Sequence, residues 1–548
     1  MEEREWAICL RILSLGAGRD SSAIDTADTS VRDAVERLNA MCKSEGNEDL
    51  VTRVYPAMTK LFQRCCSSST QRPSTALVAL AILQFFLDHG ETVLHDADPS
   101  LRAFFRSCLV KQYADPAVAA ATVAFLNHNK MKLLLSYSSV LPQFFPLLLK
   151  VIAWRDETLD TPFLQLFPAL MGPPSFLQLF LALLDLPTLV LALESLEQRT
   201  GSLHGNMGNI RKNPAPEALL ALMDEAYTGT FIDGGDDSSK EGSGRNSHYE
   251  ADDLFSDLLK DENEGLAERH WSYPGMKATL EAAMGSVQSN KLKHALKFSP
   301  QLLQVYFDIA LRDVSDSLLC ALLPMVFFRI DAMFPDKAFS IEVQQTCFQF
   351  IHACFKKSPQ FIALLKKPIT DSVSQPQTSD GKTELALQLC WAIGEHGGGG
   401  THFKDAAREL FETLELVLYE NLSSRRKTSA VPAQSRLLCF VITAIAKLAT
   451  CHRELSPRAR VCLAKVARSH QLLDKIVWRR ARDYLGLMHD HAICSSILGG
   501  QHRPGTVEWS KAQTLAVANI PFYLLDEREG LPFHDFSFSD IIGQSVAS

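Results

Sequence analysis

The residues that could perform chemistry are few, and the most suggestive of them form an incomplete nucleotide-binding motif. The Gly-Lys-Thr run at 381–383 resembles the end of a phosphate-binding P-loop. The complete motif also requires a glycine five residues earlier, where this chain has Pro376. Proline has no backbone N–H to offer a phosphate, and no strand-like run precedes it. The sequence therefore does not predict nucleotide binding here.

A second group of chemically capable residues lies near position 490. His489, His491 and Cys494 are close together in sequence, but histidines at i and i+2 do not share a helix face, and no second Cys/His pair follows at zinc spacing. The chain also has no HExxH, G-x-S-x-G or CxxC motif. We expect no enzymatic activity, no cofactor and no metal site.

A strongly basic stretch gives the best candidate for a binding surface. Residues 425–482 contain fourteen Lys or Arg residues but two acidic ones, although the whole chain has a net charge of −8. The candidate site residues lie at its end and are Lys475, Arg479, Arg480 and Arg482. Such a cluster can be a solvated outer face, because Lys and Arg side chains also cover apolar surface. Alternatively, it can bind an acidic partner protein, anionic lipid headgroups or nucleic acid.

An acidic stretch precedes the basic one. Residues 233–264 contain eleven acidic and three basic residues, and they are rich in Gly and Ser. Such a composition does not bury enough apolar surface to fold alone. We interpret residues 229–267 as a flexible acidic loop. Its run DDLFSDLL at 252–259 mixes acids with large apolar side chains and is either solvated linker or a short partner-binding helix.

Cysteine use and the N-terminal residues predict the compartment. The chain has thirteen cysteines, an odd number, and most lie inside apolar runs. The charged beginning, MEERE, lacks the basic-then-apolar order of a secretory signal. We therefore expect reduced, buried thiols and a cytoplasmic or nuclear protein.

One apolar segment is long enough to be mistaken for a membrane span. Residues 176–193 carry Asp185 and Pro187 near their centre. An acidic residue in the middle of a bilayer is costly, and Asp-Leu-Pro is typical of a turn between helices. We expect a pair of buried helices here.

The dominant pattern is helical. Short polar residues precede proline at Asp98, Asp115, Thr161, Ser299, Ser358 and Ser456, and an apolar run of helical period follows each. This combination is typical of helix starts. Strictly alternating strand-like runs are absent. Short helices with short loops over hundreds of residues predict an all-α fold, an irregular HEAT/armadillo-like α-solenoid of stacked helical hairpins.

Composition divides this solenoid into four parts. We predict an N-terminal helical solenoid at 1–228 and the acidic loop at 229–267. A C-terminal helical solenoid with the basic surface follows at 268–498, and an irregular tail at 499–548.

Seven collinear segments between positions 141 and 460 resemble a known family. They are LPQFFPLLLKVIAW at 141–154, LFPAL at 166–170, LALLDLPTL at 181–189, WAIGE at 391–395, LFETLE at 410–415, ITAIAKL at 442–448 and LSPRAR at 455–460. Their order is similar to that in the zeta-subunit family of the fifth adaptor-protein complex. The chain looks shorter than the animal members, mainly at its N-terminal side.

The resemblance implies a function. Family membership implies a non-catalytic large subunit in a heterotetramer with beta, mu and sigma subunits. It also implies protein transport at late endosomes and lysosomes, association with spatacsin and spastizin, and peripheral membrane association from the cytoplasm. Animal members have also been linked to DNA double-strand-break repair with a proposed helicase. A nucleic-acid-associated repair scaffold, with a nuclear location, is thus the alternative, although the incomplete P-loop argues against the helicase.

Overall fold

In the computed structural model, the helix at 116–128 shows how the sequence begins a helix. The Asp115 carboxylate accepts a hydrogen bond from the Val118 N–H (2.9 Å), and Pro116 is the first helical residue. This arrangement satisfies one of the N–H groups that a helix start leaves without a partner. The structure describes residues 2–18, 25–45, 48–67, 72–155, 157–200, 261–262, 280–281, 288–374, 380–399, 403–423, 431–469 and 473–499.

Every regular element within these ranges is helical, which confirms the all-α class. The chain divides into two units, Met1–Tyr306 and Phe307–Ser548. Of the predicted acidic loop, Asp261 and Glu262 belong to the described residues; the run at 252–259 and the predicted tail beyond residue 499 lie outside them. The four predicted parts therefore remain a proposal.

The helices of the first unit are short and closely spaced. They are α1 (Glu2–Gly18), α2 (Asp25–Glu45), α3 (Glu48–Ser67), α4 (Pro73–His89), α5 (Asp98–Phe104), α6 (Val110–Gln112), α7 (Pro116–His128), α8 (Lys130–Ser136), α9 (Val140–Trp154), α10 (Asp160–Leu166), α11 (Phe176–Leu184) and α12 (Leu186–Thr200). A π-helical turn, Phe105–Leu109, joins α5 to α6. Neighbours in space are near neighbours in sequence: α2 packs on α4, α4 on α7, α7 on α10, and α9 on α12.

The division between the units falls within α13 (Asn290–Asp313). The helices that follow are α14 (Asp316–Arg329), α15 (Lys337–Lys357), α16 (Phe361–Leu364), α17 (Lys366–Ser374), α18 (Asp380–His396), α19 (Lys404–Ser423), α20 (Val431–Cys451), α21 (Ser456–Arg468), α22 (Lys475–Leu487) and α23 (His491–Leu498).

The second unit is built of two helix layers. In one layer α15 packs on α18, α18 on α20, and α20 on α22. In the other, α17 packs on α19, and ion pairs join α19 to α21. Helices that alternate along the chain therefore lie side by side, as expected of stacked helical hairpins. This agrees with the predicted solenoid.

The predicted helix start at Ser299 is wrong. The Ser299-Pro300 pair does not begin a helix but lies inside α13, which begins at Asn290. The Ser299 hydroxyl is buried and donates to the carbonyl of Leu183 (2.6 Å), so it is not available as a cap.

The apolar segment at 176–193 forms two helices, as predicted. Its two parts, α11 and the first turns of α12, are bent by 64° at a break that contains the buried Asp185. The window Gln434–Cys451 of α20 is also long and apolar enough to cross a membrane, but 72% of it is buried inside the fold. A core helix of a globular protein has the same properties.

Candidate functional site

Helix α22 positions the predicted basic residues. The Asp474 side chain caps its start by accepting a hydrogen bond from the Ile476 N–H (3.4 Å). Val477, Ala481 and Tyr484 follow at i, i+4 and i+7 and form the buried face, which packs on α20 and α21. The Tyr484 hydroxyl reaches the Thr443 hydroxyl of α20 at 2.9 Å, which fixes the rotation of the helix.

Arg480 does not belong to the surface, although we expected it there. It shares the buried face of α22 and is 2% exposed. Its guanidinium lies near Cys439 and Tyr484; burial raises the pKa of both groups, and the charge of Arg480 opposes that rise. Arg480 is therefore part of the helix packing and cannot contact a large partner.

The remaining candidate residues form a smaller cationic surface around one indole ring. Lys475 and Arg482 are exposed and Arg479 is half-buried. The guanidinium carbons of Arg479 and Arg482 lie 5.7 and 5.5 Å from the centroid of the Trp478 ring, within cation–π range. We call Lys475, Trp478, Arg479 and Arg482 the α22 surface. Since Lys and Arg side chains donate hydrogen bonds and accept none, this surface can bind carboxylates or phosphates but not a metal ion.

The basic stretch around this surface is partly compensated by carboxylates that lie close to it in space. Arg436 lies 3.0 Å from Glu384, and Lys447 forms an ion pair with Glu395. Arg458, in the first turn of α21, contacts two carboxylates of α19, Glu412 (3.0 Å) and Glu415 (2.5 Å). The carboxylates that offset the basic helices come from earlier helices. The excess of positive charge in the sequence therefore overstates the positive charge of the surface.

The Gly-Lys-Thr run has no room for a phosphate. It lies in the first turn of α18, and a Cβ atom at Gly381 would lie 2.7 Å from the Gln344 amide nitrogen. Gly381 is thus packed against another helix. No group of three or more His, Cys, Asp or Glu side chains that could hold a metal occurs among the described residues. Cys494 is buried beside the Thr450 hydroxyl, 3.2 Å away.

The WAIGE run, which carried part of the resemblance, has a structural role that sequence reasoning did not identify. Gly394 lies where α18 approaches α20: a Cβ there would be 3.3 Å from the Ala444 Cα atom. Its neighbour Glu395 forms the ion pair with Lys447, whose side chain is 9% exposed. The glycine permits the close approach of the helices, and the glutamate neutralises the lysine buried there.

Comparison with known proteins now identifies the family. The model described as "AP-5 complex subunit zeta-1, C-terminal TPR repeats" matches residues 246–519, half of the chain. The chain belongs to the AP-5 complex subunit zeta-1 family. A second model, described as "AP-5 complex subunit, vesicle trafficking", matches residues 26–150. The zeta-1 description names TPR repeats, where sequence analysis favoured HEAT/armadillo-like ones; both are helical hairpin repeats.

Curated relatives agree with this assignment. AP-5 complex subunit zeta-1 from Homo sapiens is 25% identical over 399 residues, which are 72% of this chain and 45% of the human protein. The Mus musculus protein of the same name is 22% identical over 474 residues, 85% of this chain and 54% of its own length. The chain thus spans about half the length of these zeta-1 relatives. A chain from the SYS-1/POP-1 crystal complex matches with a TM-score of 0.23 and 11% identity over 94% of this chain and 91% of its own, and no conclusion rests on it.

Proposed function

We propose that this chain is a non-catalytic large subunit of a heterotetrameric adaptor complex, and that it holds the smaller subunits during endosomal and lysosomal protein transport. The observation that carries the proposal is membership of the zeta-1 family, whose two models match parts of both helical units. Stacked helices present long surfaces to partners without an active site. The expected partners are beta, mu and sigma subunits, with spatacsin and spastizin as associated proteins. The expected location is the cytoplasmic face of late endosomes and lysosomes.

The second unit offers a surface suited to a partner subunit. Leu416 and Val461 are 53% and 54% exposed, although both are large and apolar. Leu416 follows Glu412 by four residues and Val461 follows Arg458 by three, so each shares a helix face with one member of that ion pair. A partner subunit that covered these two side chains would remove their apolar surface from water, which favours binding.

Affinity purification of the tagged chain from cytosol, with quantitative mass spectrometry, tests the proposal. We expect adaptor beta, mu and sigma subunits in near-stoichiometric amounts. Leu416→Asp combined with Val461→Asp should reduce their recovery at least tenfold, because a charge at an apolar contact must lose its water on binding. Ile8→Asp, a change at a similarly exposed position of the first unit, is the matched control. Absence of adaptor subunits from the wild-type purification would contradict the proposal.

The geometry gives less support to the DNA-repair alternative than to the adaptor function. Nucleic-acid binding depends on positive charge presented to phosphates, and several cations of the basic stretch are engaged with carboxylates. If the alternative were correct, the chain would bind duplex DNA at physiological ionic strength, with an affinity that falls steeply as salt rises. An electrophoretic shift assay at several salt concentrations separates the two functions.

A further inference from the structure

Two adjacent acidic residues, Asp261 and Glu262, contact helices of the first unit that precede them by more than 100 positions in sequence. The Lys150 ammonium is 2.5 Å from the Asp261 carboxylate. Arg106 donates from Nε and Nη2 to the two oxygens of Glu262, at 2.6 and 2.9 Å. The Gln143 amide adds a third hydrogen bond to Glu262 at 3.0 Å. Each carboxylate therefore has its own cation, and one is held in the two-point geometry that arginine offers to a carboxylate.

Aromatic rings hold both cations in place. The Lys150 ammonium lies 5.9 Å from the centroid of the Tyr113 ring, and the Arg106 guanidinium lies 5.8 Å from that of Phe144. The Lys150 side chain is 4% exposed, which is rare for a lysine without a compensating anion. Both rings belong to the part of the chain that precedes the acidic stretch, so each cation has a contact there besides its carboxylate.

The backbone and the surrounding polar groups also orient the site. Arg106 lies in the π-helical turn 105–109, an element that is rare and often found at functional sites. Gln143 accepts a hydrogen bond from Arg102 at its amide oxygen, so its NH₂ group faces Glu262. Arg102 is held in turn by Asp98 at 2.6 Å. The partners of Glu262 are therefore supported by a second set of contacts.

We propose that Arg106, Gln143 and Lys150 form a binding site for two adjacent carboxylates of a peptide. Asp261 and Glu262 of the chain itself occupy the site, and an acidic peptide supplied from outside competes with them. This site does not depend on the adaptor role proposed above. The acidic stretch carries two further pairs of adjacent carboxylates, at 236–237 and 252–253.

The competition has a simple physical basis. A ligand tethered to its own receptor has an effective concentration on the order of millimolar, so it excludes weak external ligands but yields to tighter ones. The Arg106 side chain is 49% exposed, which makes this half of the site accessible and sensitive to salt. The Lys150 half is buried and contributes the specificity for a second carboxylate.

The test uses a fluorescein-labelled peptide with the sequence of residues 257–266, DLLKDENEGL, and the full chain. Fluorescence polarisation should show that the peptide binds the Asp261→Asn/Glu262→Gln chain at least tenfold more tightly than the wild-type chain. Adding Arg106→Gln to that variant should abolish binding. A chain with Asp236→Asn and Asp237→Asn is the matched control and should behave like wild type. Equal affinity for variant and wild type, or no effect of Arg106→Gln, would overturn the proposal.

A second measurement covers the case in which the double variant does not fold. In the otherwise unchanged chain, Arg106→Gln should accelerate hydrogen exchange of the amides at 261 and 262, because it removes the two-point contact to Glu262. Excess unlabelled peptide should do the same to the wild-type chain. Unchanged hydrogen exchange in both experiments would show that residues 261 and 262 do not occupy a site from which a peptide can displace them.

Discussion

Lys447 donates to the carboxylate of Glu395 where α18 and α20 are in close contact. The side chains are 9% and 12% exposed, so neither charge is well solvated. A Cβ atom at Gly394, next to the glutamate, would lie 3.3 Å from the Ala444 Cα atom. The glycine and the ion pair thus act together. Gly394 permits the contact between the helices, and Glu395 neutralises the Lys447 charge that this contact buries.

Removing the carboxylate should therefore destabilise the second unit. We expect Glu395→Gln to lower the free energy of unfolding by about 3 kcal/mol, because a buried cation loses its counter-charge. Glu454→Gln, at an exposed position in the same unit, is the control and should change it by less than about 0.5 kcal/mol. Chemical unfolding followed by circular dichroism measures both. Adding Lys447→Met to Glu395→Gln should restore most of the loss.

We expect Arg480 of α22 to stabilise the fold, and Arg479 and Arg482 to have little effect on stability. Arg480→Gln should lower the melting temperature by several degrees, since Arg480 is 2% exposed and packed among Cys439 and Tyr484. Arg482→Gln, at a side chain that is 60% exposed, should leave it nearly unchanged. Differential scanning fluorimetry compares the two. If both variants melt alike, Arg480 does not stabilise the packing of α22.

The function of the α22 surface can then be tested without disturbing the fold. We expect the double change Arg479→Gln/Arg482→Gln to keep its helicity and melting temperature. If the surface meets an acidic partner or anionic lipid, the loss of two charges costs up to about 1 kcal/mol each and should weaken membrane recruitment roughly tenfold to thirtyfold. Co-sedimentation with anionic vesicles and cell fractionation measure this. Normal recruitment would mean that the surface is only solvated.

Acid should destabilise the second unit through His352. Burial lowers the pKa of His352 to about 4, although its hydrogen bond with Gln388 (2.8 Å) opposes the shift. An unfolded histidine titrates near 6.5, so the unfolded state binds more protons between these values. The contribution of neutral His352 to the free energy of unfolding is complete above pH ~6.5 and is lost as the pH falls toward 4.

The expected loss of unfolding free energy from this group is about 2 kcal/mol between pH 7 and pH 5. Chemical unfolding across this range should show a smaller pH slope for His352→Gln than for the wild-type chain. Other histidines contribute to the slope of both proteins and cancel in the difference. Identical slopes would mean that His352 becomes protonated in the folded state.

The acidic stretch should be dispensable for stability, except at its C-terminal end. Replacing residues 233–256 by a Gly/Ser linker should leave the melting temperature nearly unchanged. Replacing 233–264 also removes Asp261, the carboxylate 2.5 Å from buried Lys150, and should cost about 3 kcal/mol. Comparing the two replacements by scanning fluorimetry isolates the contribution of residues 257–264. Equal melting temperatures would contradict the described contacts of Asp261 and Glu262.

Local patterns predicted much of this architecture because they depend on near neighbours in sequence. Asp115 caps its helix as expected, and Asp185 marks the break between α11 and α12. The burial of Arg480 could also have been predicted, since it follows Val477 by three residues and precedes Tyr484 by four, on the face that they define. Sequence analysis gave weight to its charge and not to its position.

The charge balance, in contrast, could not be predicted from a window of sequence. Arg436 and Glu384 are 52 residues apart, and Arg458 and Glu412 are 46 apart. Counting charges within 425–482 therefore shows an excess that folding partly offsets. The site at Lys150 and Asp261, which are 111 residues apart, was missed for the same reason.

These separations also matter for synthesis on the ribosome. A bacterial or eukaryotic ribosome adds roughly 5–20 residues per second. With 52 residues between Glu384 and Arg436, and likewise between Glu395 and Lys447, each carboxylate leaves the ribosome roughly 3–10 s before its cation. Helix α18 therefore cannot bury its acidic side chains in the final packing until α20 has emerged. During this interval the nascent second unit is incomplete. Other proteins can then reach the surface of α18 that α20 later covers.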